Sequence, residues 1–154
     1  MAEAFWRFSL MAYAREGVAQ ALIGLQDRRG HNVNLVLFAL WHALCRRQRL
    51  DPRAMGRARS AVAGFEHDLV GPVRRLRRAL KDHSDPDVQA IRRRLQSLEV
   101  AAERRAQARL AAVAQDGPSD AGAAVAALVE DNLRLVLGGD VAAPETRAIV
   151  ASLF

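Results

Sequence analysis

The chain has 154 residues, of which 51% are hydrophobic and 26% charged, the length and balance of one globular domain that buries a core without staples. Its single cysteine, Cys45, excludes an intrachain disulfide, and nothing in its composition asks for an oxidising compartment. The net charge of +6 is unevenly spread: residues 1–50 carry seven Arg against three acids, residues 51–115 fourteen Lys/Arg against eight, and residues 116–154 two Arg against six.

A basic body with an acidic C-terminal section fits a tail that docks on the body, or a body that faces an anionic partner. Lys81 is the one lysine among 23 basic residues, a bias that coding composition explains as readily as selection for phosphate-binding forks. The N-terminal stretch MAEAFWRFSLMAYARE places an acid at Glu3 and its basic residues after the apolar part begins, the wrong order for a secretory signal. The longest apolar run, Leu35 to Cys45, is interrupted by His42 and falls well short of the ~20 residues a membrane span needs. A soluble, cytoplasmic protein without a membrane partner is the expectation.

The apolar spacing is helical almost throughout. A first helix is expected from about Glu3 to Ala14, with Trp6, Leu10 and Tyr13 on one stripe and Phe5 and Phe8 beside it. Gly17 breaks it. A second, about Val18 to Arg29, turns Val18, Ala21, Leu22 and Leu25 inward, and Gly30 ends it in a left-handed conformation. The third helix starts near Asn32, whose side chain caps the first turn. Val33, Val36, Leu37, Leu40 and Leu44 form one face, and Leu35, Phe38, Trp41 and Cys45 fill much of the rest. A helix apolar around most of its circumference is one surrounded by others.

Asp51 followed by Pro52 signals a fourth helix, reaching about Lys81 with Leu69, Val73, Leu76 and Leu80 as its stripe. Pro72 lies inside that pattern and predicts a kink or break. Asp85 and Pro86 repeat the start signal for the longest helix, about Pro86 to Ala114, with Val88, Ile91, Leu95, Leu98 and Ala102 as a heptad-like seam. Neither Glu99 nor Glu103 has a basic residue three or four positions away, so pairing along the helix does not neutralise its arginines. QDGPSD reads as a loop. A sixth helix, about Ala121 to Leu137, buries Val125, Leu128, Val129, Leu133 and Val136, and ETRAIVASLF closes the chain as a short helix. No strand candidate and no internal repeat is present.

The polar run into the third helix is the first candidate site. Gln26, Asp27, Arg28, His31, Asn34, Trp41 and His42 would line a small-ligand pocket with an aromatic wall, since steps of three, four, seven and eight residues return to one side of a helix. A structural role competes with it: a tight helix–helix turn needs Gly30 to stop one helix, Asn32 to start the next, and Asp27 and Asn34 to satisfy free backbone groups. Around the four histidines no metal spacing occurs, because Arg28, Ala39, Gly64 and Leu80 stand three before them and no His-x-x-x-His or paired cysteine exists. Glu66, His67 and Asp68 are adjacent in FEHDL and point in different directions on a helix, which reads as a solvated face. The serines lack a nucleophile context, and Cys45 in so apolar a helix reads as inert packing. No metal, cofactor or catalytic set is expected.

A second candidate is a basic surface for nucleic acid or another polyanion. Arg74, Arg77, Arg78 and Lys81 share the side of the fourth helix away from its Leu stripe, and Arg92, Arg93 and Arg94 open the fifth. It lacks the interleaved aromatics that stack on bases and any helix-turn-helix or zinc pattern.

Three segments, FWRFSLMAYAREGVAQALIGLQDRRGHNVNLVLFALWHAL, VGPVRRLRRALK and LEVAAERRAQARL, together resemble an uncharacterised proteobacterial family of short helical proteins catalogued as a domain of unknown function. The pattern is carried by Trp6 and Phe8; by Leu25, Gln26, Asp27, Arg28, Gly30, Val33 and Asn34; by Leu37, Phe38 and Trp41; and by Pro72, Arg74, Arg77 and Leu80. The resemblance spans about residues 5–113 and implies no activity.

The expected fold is all-α: one domain over residues 1–154, an irregular bundle of six or seven helices around a buried central helix at about 32–47. Residues 5–114 form the family-like core and 115–154 an acidic extension docked on it. The expected function is that of a non-enzymatic adaptor, binding a protein partner or a second copy of itself through the long fifth helix. Polyanion binding and a ligand or enzymatic site at residues 26–42 are the alternatives.

Overall fold

The computed structural model describes residues 1–114, 119–120 and 122–153. Residues 115–118 of the expected QDGPSD loop, Ala121 at the expected start of the sixth helix, and Phe154 at the end of the terminal one lie outside the described residues. The described chain is all-α. In order it forms α1 (Ala2–Tyr13), α2 (Val18–Arg29), α3 (Val33–Leu44), α4 (Pro52–Phe65), a π-helical turn (Glu66–Val70), α5 (Gly71–Ala79), α6 (Pro86–Val113), α7 (Val125–Leu137), a 3-10 turn (Gly138–Ala142) and α8 (Pro144–Leu153).

The helix borders follow from local chemistry. Gly30 takes φ 72°, a backbone conformation that a Cβ disfavours, and ends α2 with its amide on the Gln26 and Leu25 carbonyls. Two residues on, the Asn32 side chain accepts from the Asn34 and Leu35 amides and opens α3. Asp51 caps α4 through the Ala54 amide, and Asp85 caps α6 through that of Asp87, each with proline at the first helical position.

Pro72 divides the expected fourth helix. It has no amide hydrogen to give the preceding turn, and the chain widens just before it into the π turn, where the Gly71 amide reaches back to the Glu66 carbonyl. Gln89 then folds α6 against α5, its side-chain amide donating to the Leu80 and His83 carbonyls at 3.0 and 2.7 Å.

The core is built around α3, where every residue from Val33 to Ala43 is buried. It is enclosed by α1, α2, α6 and α7, with α7 lying along it. Phe5 of α1 stacks on Trp41 at 5.0 Å between ring centroids and meets Phe38 edge-on at 5.8 Å. Two buried amides tie the helices together. Asn132 of α7 accepts from the Leu50 amide at 2.8 Å and donates to the Gln48 carbonyl, pinning the α3–α4 connection. Gln107 of α6 accepts from the Ser9 hydroxyl at 2.9 Å and donates to Asn34 at 3.0 Å. Among the described residues no helix is long and apolar enough to cross a membrane.

Four expectations about faces are corrected. In α1 the buried side chains are Phe5, Phe8, Ser9 and Ala12, while Leu10 is 52% exposed and Tyr13 37%; the aromatic surface of α3 selects the Phe stripe. In α6 the inward set is Glu99, Ala102, Ala106, Gln107, Leu110 and Ala111, and Ile91 and Leu98 stand about half exposed. In α5 Leu76 of the expected stripe is half exposed, and Arg74 and Arg77 turn toward α6 instead. Cys45 caps α3 and is exposed rather than packed.

Candidate functional site

The seven residues of the polar run separate onto four surfaces. Gln26 and Asp27 face α5, where Asp27 accepts from Arg78 at 2.5 Å and from Gln26 at 3.2 Å. Burial is the largest single influence and would raise the Asp27 carboxyl, but the hydrogen bonds from Arg78 and Gln26, together with the Arg78 and Arg74 charges, outweigh it and hold the group below the usual carboxylate range. Arg28 and His31 face the C-terminal segment. Arg28 donates to Glu145 of α8 at 2.7 Å, His31 pairs with Asp140 at 2.8 Å, and Arg29 reaches both acids. The Arg28 hydrogen bond, first among several contributions, pulls Glu145 down to about 2. Asn34 belongs to the buried Ser9–Gln107 chain, satisfied by a distant helix rather than by its own turn.

Trp41 and His42 lie inside the core, 3% and 2% exposed. Burial, assisted by the Arg46 cation and opposed by Gln48, lowers His42 to about 4. His42 is therefore neutral in the folded chain and takes up a proton near pH 6.5 when unfolded. Its contribution to stability is complete above pH 6.5 and is lost as pH falls from there toward 4, on the order of 3 kcal/mol in all. Urea titrations between pH 7.5 and 4.5 are expected to show that decline in the wild type and a shallower one in His42→Gln. Parallel declines would show that His42 does not carry the effect.

The α5 part of the basic surface, Arg74, Arg77 and Arg78, is paired with carboxylates. Arg74 is a three-way clamp: Nε donates to Glu99 at 2.9 Å, Nη1 to Glu66 at 3.0 Å and Nη2 to Glu103 at 2.9 Å, with 11% of the side chain exposed. Arg77 also donates to Glu99. Desolvation raises the Glu103 carboxyl above its ordinary range despite the Arg74 cation, reinforced by the neighbouring charges of Glu99 and Glu66. Glu66, expected on a solvated face, is thus a part-buried partner of Arg74, and its Oε2 has no hydrogen-bond partner among the described residues. The cue to this cluster was present in the chain: Glu99 and Glu103 lack helical-spacing partners, so their cations come from another helix. Arg93 and Arg94 remain exposed on α6.

What the clamp assembles is a groove of about 730 Å³ bounded by α1, α2, α5 and α6. Trp6, Leu10 and Tyr13 of α1 line one side, Ile23, Gln26 and Asp27 of α2 continue it, and Arg92, Gln96, Val100 and Gln107 of α6 form the other. Arg74, Arg77 and Arg78 of α5, and Lys81 just after it, complete the lining. Leu10, Ile23 and Val100 are each about half exposed there. Arg92 also has a buried Nε without a partner among the described residues. On the far side of the Asp27–Arg78 pair lies a second hollow of about 580 Å³, reached by Glu66, His67 and Arg75. Gln26 and Asp27 of the first candidate set therefore meet Arg74, Arg77, Arg78, Lys81 and Arg92 of the second. His42 lines a separate small cavity of about 220 Å³ beside Phe38 and Leu50. Among the described residues no group of three or more His, Cys, Asp or Glu is placed to hold a metal ion.

These features define an all-helical protein with an apolar-sided, cation-rimmed groove. The chain belongs to the family DUF2390, described as a protein of unknown function, whose model matches residues 4–110. Neither a curated protein nor a solved structure matches it. All the groove residues fall within the matched span, whereas α7 and α8 lie beyond it.

Proposed function

We propose that the chain is a non-enzymatic binding module and that the α1–α2–α5–α6 groove receives a segment of another protein chain. The carrying observation is the placement of Leu10, Ile23 and Val100, half-exposed apolar side chains from three helices, along one hollow. Apolar side chains scattered singly need no explanation, but a set gathered in a groove with a polar rim marks an interaction site. Polyanion binding fits less well, since Arg74, Arg77 and Arg78 already hold carboxylates that a phosphate would have to displace. A cytoplasmic setting accords with Cys45, a lone exposed thiol that stays reduced there.

Photoreactive side chains at positions 10 and 23, introduced in growing cells, are expected to give adducts heavier than the chain itself. Position 11, exposed on the same helix and outside the groove lining, is the control and is expected to give none. Equal yields at all three positions, or no adduct at 10 and 23, would end the reading.

A further inference from the structure

We infer that the groove's occupant is an acidic amphipathic helix from a different protein; this rests on the binding reading above and names its partner. The shape comes first. Along α6 the lining runs from Arg92 to Gln107, about 22 Å at the helical rise of about 1.5 Å per residue, the length of a four-turn helix. Opposite it, Trp6, Leu10 and Tyr13 recur at helical spacing on α1. A hollow between two helical ridges accepts a third helix whose apolar residues recur at i, i+3, i+4 and i+7.

Charge selects the kind of helix. The lining carries five cations, Arg74, Arg77, Arg78, Lys81 and Arg92, against three carboxylates, Asp27, Glu99 and Glu103. All three carboxylates accept from arginines of α5, whereas no carboxylate pairs with Lys81 or Arg92 among the described residues. Gln89 brings the end of α5 to the start of α6, so these two unspent cations sit toward one end of the groove. The buried Arg92 Nε, without a partner, adds a donor that an incoming carboxylate satisfies. An occupant with apolar residues on one stripe and Asp or Glu toward that end matches both demands.

The C-terminal helices of a second copy are a poor source of those acids. In its acidic C-terminal section, Asp120, Glu130, Asp131, Asp140 and Glu145 each accept a hydrogen bond or ion pair within the chain. Nucleic acid supplies phosphates but leaves Leu10, Ile23 and Val100 uncovered.

The test is selection of a displayed library of random 16-residue peptides on the full chain, followed by fluorescence polarisation with the enriched peptides. The expected peptides carry Leu, Phe or Trp at helical spacing with an excess of Asp and Glu. Their affinity is expected to fall at least 10-fold in Ile23→Arg and in Leu10→Arg, and about 10-fold in Lys81→Glu/Arg92→Glu. Leu10, Ile23 and Lys81 are exposed and Arg92 is half-buried, and circular dichroism verifies the fold of each variant. Peptides that lose binding in Ile23→Arg but show no acidic bias, and bind Lys81→Glu/Arg92→Glu as before, would overturn the acidic helix and leave the groove reading standing. No peptide sensitive to Ile23→Arg or Leu10→Arg would overturn both. A single-stranded oligonucleotide that binds more tightly than any peptide, and is lost in Lys81→Glu/Arg92→Glu alone, would assign the cations to phosphate instead.

Discussion

A chain ended after Ala114 is expected not to fold, although it contains all of the span that the family model matches. The reason is the position of α7. It lies along α3 and contributes Leu128, Val129, Leu133, Val136 and Leu137 to the same core, to which α8 adds Ile149. Burying a side chain of this kind is worth about 1.5–3 kcal/mol, so six of them supply on the order of 10 kcal/mol, the scale of a domain's whole net stability. Asn132 goes with them, leaving the Leu50 amide and the Gln48 carbonyl without their partner. The acids Asp140 and Glu145 that meet Arg28, Arg29 and His31 are lost as well. The measurement is thermal unfolding followed by near-ultraviolet circular dichroism, with dye binding to exposed apolar surface. The truncated chain is expected to show no cooperative transition and strong dye binding. A sharp transition in residues 1–114 would mean that the C-terminal section is a dispensable appendage, and that residues 1–154 are not one unit.

The helices were legible in the chain because their borders are written locally. Asn32, Asp51 with Pro52, Asp85 with Pro86, and Gly30 each act within a few residues, and each acts in the structure as its chemistry predicts. The central place of α3 was legible for a related reason, since a helix apolar on every side has no face to give to water. Which face the flanking helices bury was not. In α1 the stripes Trp6–Leu10–Tyr13 and Phe5–Phe8–Ala12 are both helical and both apolar, and only the rings of α3 decide between them. In α6, Ile91 and Leu98 lost the inward position to Glu99 because the arginines of α5 bring their carboxylate partners with them. The two halves of the candidate groove could each be read from the chain, Gln26 and Asp27 as one set and Arg74, Arg77 and Arg78 as another. Their meeting could not, because Asp27 and Arg78 are 51 residues apart and an ion pair at that separation leaves no periodic trace.

The Arg74 clamp carries the second large prediction. Arg74→Met keeps most of the aliphatic stem and removes the guanidinium, leaving Glu66 and Glu103 without their cation and Glu99 with Arg77 alone. Stripping one partner from a buried ion pair costs about 3–5 kcal/mol. Glu66 and Glu103 are 26% and 28% exposed and retain some hydration, which places the expected loss at the lower end, about 3 kcal/mol. The pH dependence of the loss separates it from a packing defect. Carboxylates left buried without a cation hold their protons to higher pH than in the unfolded chain, so the folded variant binds more protons than its unfolded state. Its stability therefore rises as pH falls, and the gap to wild type is expected to narrow between pH 7.5 and 5 in guanidinium titrations. Taking the difference at each pH removes the opposite slope that His42 imposes on both proteins. Replacing Glu103 by Gln in the Arg74→Met background is expected to recover part of the loss at pH 7.5, since a neutral amide tolerates the site without a cation. A loss below about 1 kcal/mol, the scale of an exposed pair, or a gap that does not change with pH, would mean that water rather than Arg74 satisfies these carboxylates. The α5–α6 wall of the groove would then owe its position to something else.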